Sequence, residues 1–461
     1  MKDEKVPLPT DLKQVRKKIV ITAWPVFMEL VVSALFGMVD MMMLGNITNE
    51  VEAAASVGSV GITNQMVFLG IALIQAFCVG GTALVSRYLG ANQREKLQDV
   101  VKHVVVLSVC IVGIPLFLAT QFFTIPLMKF IGATPDHLQY GPVYFRILGF
   151  GVLLQSYKFA ITACLRGVQN TKTPMIINLC ANFLNVIGNY ILIYGKLGLP
   201  ALGVVGAGIS TTFCWFLSAS AMTYYVLKKE KKLQVQLKAG FRINPTIIRN
   251  MIKIGIPSGL EQMVLRVGIF FFIRIILSLG TIAYATHAIA LNIYSLSFTT
   301  GQALGIAAAA LVGHSLGAKS KELAKHYISE TKKMGLIVSI IAASIFLFFG
   351  KSIVSLYRNS EQIINMGGKL LSIIALVQPF QTVQLLTTGA LRGAGDTIPP
   401  LVSAFIGILV VRTLLSRFFV LELGLGLMGA WYALAIEQII RFIVIETRYR
   451  SYKWMDIKLY E

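Results

Sequence analysis

The run Ile19–Gly45, IVITAWPVFMELVVSALFGMVDMMMLG, decides how the rest of the chain is read. At about 1.5 Å per residue it is long enough to cross the hydrocarbon of a bilayer, which takes about 20 residues. Yet it carries two carboxylates, Glu29 and Asp40, eleven positions apart. With about 3.6 residues per turn, Glu29, Ser33, Gly37 and Asp40 fall along one helical face. A carboxylate inside a span costs several kcal/mol unless it is protonated, paired or wetted. Asp40 is therefore the first functional candidate, and Glu29 and Ser33 are candidates for lining a polar cavity on the same face.

The composition extends this reading to the whole chain. Of 461 residues, 56% are hydrophobic and 14% charged, with mean hydropathy +0.72. Soluble domains carry nearer a quarter of charged residues. Apolar runs recur near 19–44, 53–85, 103–128, 139–165, 174–195 and 203–227, then near 251–279, 283–313, 334–356, 366–391, 399–421 and 427–447. The expectation is an all-α membrane protein of twelve transmembrane helices. The five cysteines lie within these runs and read as packing residues, not disulfides or metal ligands. The polar N-terminus leads straight into a full-length span, unlike a cleavable signal peptide.

The net charge of +21 does not point to nucleic acid, because the basic residues alternate from loop to loop. Segments on the side of the N-terminus hold 30 Lys and Arg, the opposite loops 6, and the remaining 6 lie within spans. That bias predicts cytoplasmic termini and a plasma-membrane location. Residues 1–18 and 448–461 then form cytoplasmic ends. The basic stretch 228–250, with Lys228, Lys229, Lys231 and Lys232 beside span six, reads as a solvated linker touching anionic lipid.

On either side of that linker the sequence repeats. Leu165-Arg166-Gly167 with Thr171 and Pro174 recurs as Leu391-Arg392-Gly393 with Thr397 and Pro400. Ala83-Leu84-Val85 with Leu89-Gly90-Ala91 recurs as Ala310-Leu311-Val312 with Leu316-Gly317-Ala318. Pro25 and Glu29 recur as Pro257 and Glu261. An even number of spans in each half makes the repeat parallel, so residues 19–227 and 251–447 are expected to form two six-helix bundles related by a pseudo-two-fold axis along the membrane normal. Two such bundles enclose a cleft in transporters.

Polar residues should line such a cleft. Span five carries Asn178, Asn182, Asn185 and Asn189 at helical spacing. Buried amides also glue helices together, but four on one stripe exceed that need. Span eight offers Asn292 and Ser295 with Thr299 and Gln302, and span two Asn64, Gln65 and Gln75. Basic residues occur within spans as well: Arg146, Lys158, Arg266, Arg274, Arg412 and Arg441. Glu437 and Arg441, four apart, are expected to pair. Met41–Met43 are flexible thioethers suited to ligands of varied shape, or to lipid. Gly301 and Gly305 predict close helix packing.

The twelve-span parallel repeat, the Pro25-to-Asp40 spacing and the paired Leu-Arg-Gly…Thr…Pro elements together resemble the multidrug and toxic compound extrusion (MATE) family, within the multidrug/oligosaccharidyl-lipid/polysaccharide flippase superfamily. The resemblance covers essentially the whole chain. It implies a V-shaped pair of bundles that exports cationic, amphiphilic compounds against inward H⁺ or Na⁺ flow by alternating access. Asp40 matches the family's span-one aspartate. Asn185 and Asn189 match the polar span-five positions around it, and Thr211 in span six completes the cluster, which is also where Na⁺ would sit. Asn189 stands where the DinF-type branch has Asp, as in NorM-type members. Those members also use carboxylates in spans seven and ten. Here Glu261 lies about one turn nearer the helix start than theirs, and Gln381 replaces the span-ten Asp. Glu261, Gln381 and Arg266 are thus the candidates for a second-bundle site.

The expected partners are small organic cations and membrane lipid, with no cofactor beyond the coupling ion, no nucleic acid, and a monomeric chain. The rival reading is a flippase for a lipid-linked oligosaccharide, or an exporter of another anionic substrate, with Arg266, Arg274 and Arg412 on the anion. It is favoured if those arginines converge and disfavoured if they pair with acids or face lipid. An enzyme is not expected: there is no paired-Asp metal motif and no His-Glu-x-x-His, and His137 and His287 stand alone.

Overall fold

The computed structural model describes residues 12–46, 50–233, 241–357, 360–457 and 459. Residues 1–11 of the N-terminal segment, 234–240 of the basic linker and Arg358 lie outside the described residues. All regular structure among the described residues is helical. Backbone groups in hydrocarbon have no water to bond, and a helix satisfies them within one segment.

The long helices are α1 (Leu12–Gly45), α2 (Glu50–Gly90), α3 (Arg94–Leu107) running through a π-turn into α4 (Ile114–Phe122), the short α5 (Thr124–Ile131), α6 (Pro135–Gly167), α7 (Lys172–Tyr194) and α8 (Gly203–Lys228). There follow α9 (Pro245–Leu277), α10 (Thr281–Gly317), α11 (Lys321–Ser355) and α12 (Glu361–Gly393). Then α13 (Ile398–Ala404) and α14 (Thr413–Arg417) are joined and followed by π-helical turns, Phe405–Arg412 and Phe418–Glu422, and α15 (Gly426–Arg450) completes the series. Among the described residues, eleven helical segments are long and apolar enough to cross a membrane. The twelfth, α9, has the length but carries Arg249, Lys253, Glu261, Arg266 and Arg274. This is a multi-pass membrane protein of the twelve-helix, two-bundle class.

The chain divides into two compact units, Met28–Ile252 and Met1–Phe27 with Lys253–Glu461. Both divisions fall inside a helix close to a proline: three residues after Pro25 in α1, and four before Pro257 in α9. The first turns of α1 thus belong with the second unit. There Val15, Ile19 and Ala23 are buried among Leu304, Ala307 and Leu311 of α10, Leu323 and Tyr327 of α11, and Leu386 of α12. Arg16 adds an ion pair with Glu330 at 2.7 Å.

The core of the second unit is built on α10 and α12, which approach backbone to backbone. A Cβ added at Gly389 would overlap the carbonyl oxygen of Gly305, and one at Gly393 that of Ala309. Gly301 and Gly305, flagged by their spacing, lie against α12 at Leu385. Helices in lipid gain little from hydrophobic exclusion, so such close packing supplies much of their association. Replacement of Gly389 by Ala must push α10 and α12 apart. The expected cost is about 1–3 kcal/mol, seen as a lower apparent melting temperature in detergent, while Ala at Gly259, which has open space around it, should leave melting unchanged.

The repeated motifs meet in each unit. In the first, Arg166 of the Leu-Arg-Gly element donates to Glu29 of the Pro-x-x-x-Glu element at 3.1 Å. In the second, Arg392 donates to Glu261 at 2.7 Å. Four motif residues that recur in the sequence therefore form two equivalent ion pairs. Beyond the second element, Asp396 accepts from Arg448 at 2.7 Å. Burial pushes the Asp396 carboxyl above its ordinary range, and the Arg448 guanidinium opposes that shift.

Candidate functional site

The site is assembled in the first unit from α1, α7 and α8. The face of α1 bearing Glu29, Ser33 and Asp40 bonds residue by residue with the asparagine stripe of α7. Asn178 Nδ2 donates to Glu29 Oε1 at 2.7 Å, Asn182 Nδ2 to Ser33 Oγ at 3.1 Å, and Asn189 Nδ2 to Asp40 Oδ1 at 2.8 Å. Each rung joins residues 149 positions apart. A constant offset means that the two helices run parallel in register. Near the end of the ladder the Tyr194 hydroxyl donates to the Met43 carbonyl at 2.6 Å.

Asp40 is half-buried, while Asn185 and Asn189 behind it are 7% and 1% exposed. The amide of Asn185, oriented by the donors and acceptors around it, donates to both Asp40 oxygens at 3.3 Å and accepts from the Thr211 backbone N–H at 3.2 Å. Its oxygen then lies 3.2 Å from the hydroxyls of Thr211 and Ser210. The Ser210 hydroxyl also reaches the Asn185 backbone carbonyl at 3.1 Å. Asn189 Oδ1 is buried without a partner among the described residues. Asp40, Asn185, Asn189 and Thr211 are thus brought together around one carboxylate, with Ser210 an addition that sequence reading missed. Ser210 precedes Thr211 but carries no signal of its own, because serine is common in spans.

Among the described residues, what separates Asp40 from the other buried or half-buried acids of the spans is the lack of a counter-ion. Glu29 is bonded to Arg166, Glu261 to Arg392, Glu330 to Arg16 and Lys333, Glu437 to Arg412, and Glu446 to Lys332. Among the described residues, Asp40 is the one buried or half-buried carboxylate within the spans that makes no ion pair. No three His, Cys, Asp or Glu side chains converge among the described residues to hold a metal ion. Any monovalent cation here would meet one carboxylate and neutral oxygens.

The remaining candidates disperse. Glu29 is a buried ion-pair member, backed by Asn178, whose Oδ1 accepts from Ser218 at 3.0 Å. Asn64 is partly buried and joins neither the ladder nor the Asp40 cluster. Asn292, Ser295 and Thr299 are turned back onto carbonyls of their own helix. Gln381 is buried and donates to the Tyr294 hydroxyl. Arg266 and Arg274 are exposed, whereas Arg412 is buried and donates to Glu437 at 2.6 Å. Glu437 also faces Arg441, but at 3.5 Å, so its tighter partner is one that the sequence spacing did not point to. Of the histidines, His137 accepts from the Thr134 N–H at the start of α6, and His287 accepts from the Trp431 indole at 3.2 Å.

The family model MatE matches residues 25–191 and 257–418, one segment in each half and most of the chain between them. The chain belongs to the MatE family. Among curated members it is 29% identical to the probable multidrug resistance protein NorM of Thermotoga maritima, over 96% of this chain and 94% of that one. It is 30% identical to the probable multidrug resistance protein NorM of Pasteurella multocida, over 94% of each chain. Solved MATE structures share its fold. One described as an outward-facing multidrug resistance MATE transporter of the MOP superfamily superposes with TM-score 0.85 at 21% identity, over 97% of this chain and 99% of that one. A MOP superfamily transporter from Pyrococcus furiosus gives 0.87 at 21% identity, over 98% and 100%. The MatE match begins at Pro25, just before the ladder, and includes Asp40 and the α7 asparagines.

Proposed function

We propose that this MatE protein is a secondary active antiporter that exports cationic, amphiphilic organic compounds, drugs among them, in exchange for H⁺ or Na⁺. The observation that carries this reading is the Asp40 carboxylate, unpaired within a span and backed by the amides of Asn185 and Asn189. An unpaired carboxylate attracts any cation, and two cations that compete for it are exchanged. Protonation of Asp40 neutralises it and releases the organic cation outward. Loss of the proton on the other side restores the charge for reloading. If Na⁺ is the ion, Asp40 with the oxygens of Asn189, Asn185 and Thr211 replaces part of its water shell.

Supporting this reading are the multidrug names of the relatives, and the Lys and Arg bias that puts both termini in the cytoplasm of a plasma-membrane protein. The site is exposed alternately to the two sides as the bundles 19–227 and 251–447 rearrange in a single chain. Pro25 removes one backbone hydrogen bond from α1 three residues before the division at Met28, which gives the helix a place to bend. The flippase reading gains no support: Arg412 is buried against Glu437, whereas Arg266 and Arg274 are exposed.

The pairing of the other acids supports an electroneutral stoichiometry. With Asp40 alone exchanging, one H⁺ or Na⁺ replaces one monovalent cation and no net charge moves. A charge crossing 100 mV gains about 2.3 kcal/mol, which would sustain a gradient of about 40-fold. Electroneutral exchange forgoes that contribution. In proteoliposomes given proton gradients, sodium gradients and potassium-diffusion potentials separately, one of the two ion gradients should drive transport of a monovalent cation. The potential alone should drive none. Transport driven by potential alone would require a second exchanging charge, and transport driven by no gradient would end the antiport reading.

A further inference from the structure

Among its described residues the second unit holds three clusters in which two cations share one acid, and they are not equivalent. Glu330 takes Arg16 and Lys333, whose side chains are 54% and 61% exposed. Glu446 takes Lys332 and Arg450, the latter 77% exposed. In both, the surplus positive charge belongs to an exposed side chain. Glu437 takes Arg412 and Arg441, and here the side chains are 0%, 9% and 7% exposed. One carboxylate and two guanidiniums are enclosed together with a formal surplus of one positive charge. An enclosed charge without a partner is strongly unfavourable.

The local groups are those that an anion would use. Among the described residues, the Nε atoms of both Arg412 and Arg441 are buried without a hydrogen-bond partner. So is the hydroxyl of Ser416, four residues beyond Arg412. Arg441 makes only a long contact to Glu437, so its guanidinium is not fully used. Phe272 lies 5.4 Å beneath Arg412 and supplies an apolar wall. The stem of Arg441 lies so close to Gly407, in the π-turn Phe405–Arg412, that even a methyl group there would overlap it. Both guanidinium side chains are enclosed, at 9% and 7% exposure, which suits a single atom better than a phosphate or an organic acid. A charge of minus one also cancels the surplus, whereas a doubly charged anion would reverse it.

We propose that Arg412 and Arg441, with the Ser416 hydroxyl, hold a small monovalent anion, chloride, inside the second unit. The ion is a structural counter-charge and is independent of the exchange at Asp40. Purified protein should bind radioactive chloride saturably, close to one ion per chain, with displacement by bromide and not by sulfate. In gluconate buffer of equal ionic strength the apparent melting temperature should fall, and chloride should restore it along the same saturation curve. In Arg441→Gln, which removes the surplus, bound chloride should drop at least tenfold and melting should lose its chloride dependence. Arg274→Gln, which removes an exposed cation elsewhere, should retain both. No saturable chloride binding by the wild-type protein overturns the proposal, whether or not the Arg441 variant folds. Undiminished binding by that variant overturns it too.

Discussion

Replacing Asp40 by Asn is expected to cut export of a fluorescent organic cation from everted vesicles by about 100-fold. The substitution keeps the shape of the side chain and can keep a hydrogen bond to Asn189, now 2.8 Å from Oδ1. What it removes is the charge. Two unit charges about 4 Å apart in surroundings of effective dielectric about 20 attract by about 4 kcal/mol. Asp40 is half-buried, so solvent screens part of this. About 3 kcal/mol remains, which is about two decades in affinity. The same change should abolish dependence on the coupling ion, because the amide neither binds a proton near neutrality nor offers Na⁺ a formal charge. Melting should fall little, since Asp40 takes part in no ion pair among the described residues. Efflux at the wild-type rate would remove Asp40 from the mechanism.

Much of this site was legible beforehand, and what was not has a definite physical origin. Periodicity of about 3.6 residues put Glu29, Ser33 and Asp40 on one face, and the four asparagines of span five on another. Each stripe is a local property of one helix. That they bond to each other at a constant offset of 149 is a tertiary fact, and no period within either segment encodes it. The repeat was legible for the same reason. Pro25-to-Glu29 and Leu165-Arg166-Gly167 recur, but only the folded chain shows that the glutamate of one motif bonds the arginine of the other. Glu261, a candidate for ion binding when seen alone, thereby becomes half of a buried pair. Likewise an i, i+4 rule finds Glu437 with Arg441 but is blind to Arg412, which arrives from a different helical segment. Residues 19–27 read as the start of the first bundle by order along the chain; in the fold Ile19 and Ala23, with Val15 of the preceding segment, are buried against α10, α11 and α12.

The two equivalent ion pairs should differ in how much each holds. Removal of Arg392 by Met leaves Glu261, with its side chain 2% exposed, charged and without its bond. Stranding one member of a buried pair costs about 3–5 kcal/mol. Arg392 is itself a quarter exposed, so water reaches part of the pair and the lower figure applies. The double variant Glu261→Gln with Arg392→Met removes the stranded charge and should recover more than half of the lost melting temperature. Arg166→Met in the first unit should be milder. Glu29 keeps its 2.7 Å bond from Asn178, and its bond to Arg166 is longer, at 3.1 Å. Measured in detergent by loss of monomeric protein on heating, the expected order of stability is wild type, Arg166→Met, then Arg392→Met. In transport, Glu261→Gln should keep coupling to the ion gradient and its indifference to membrane potential. A change in voltage dependence with that variant would put Glu261 back among the exchanging groups, and its pair with Arg392 would then have to open in each cycle.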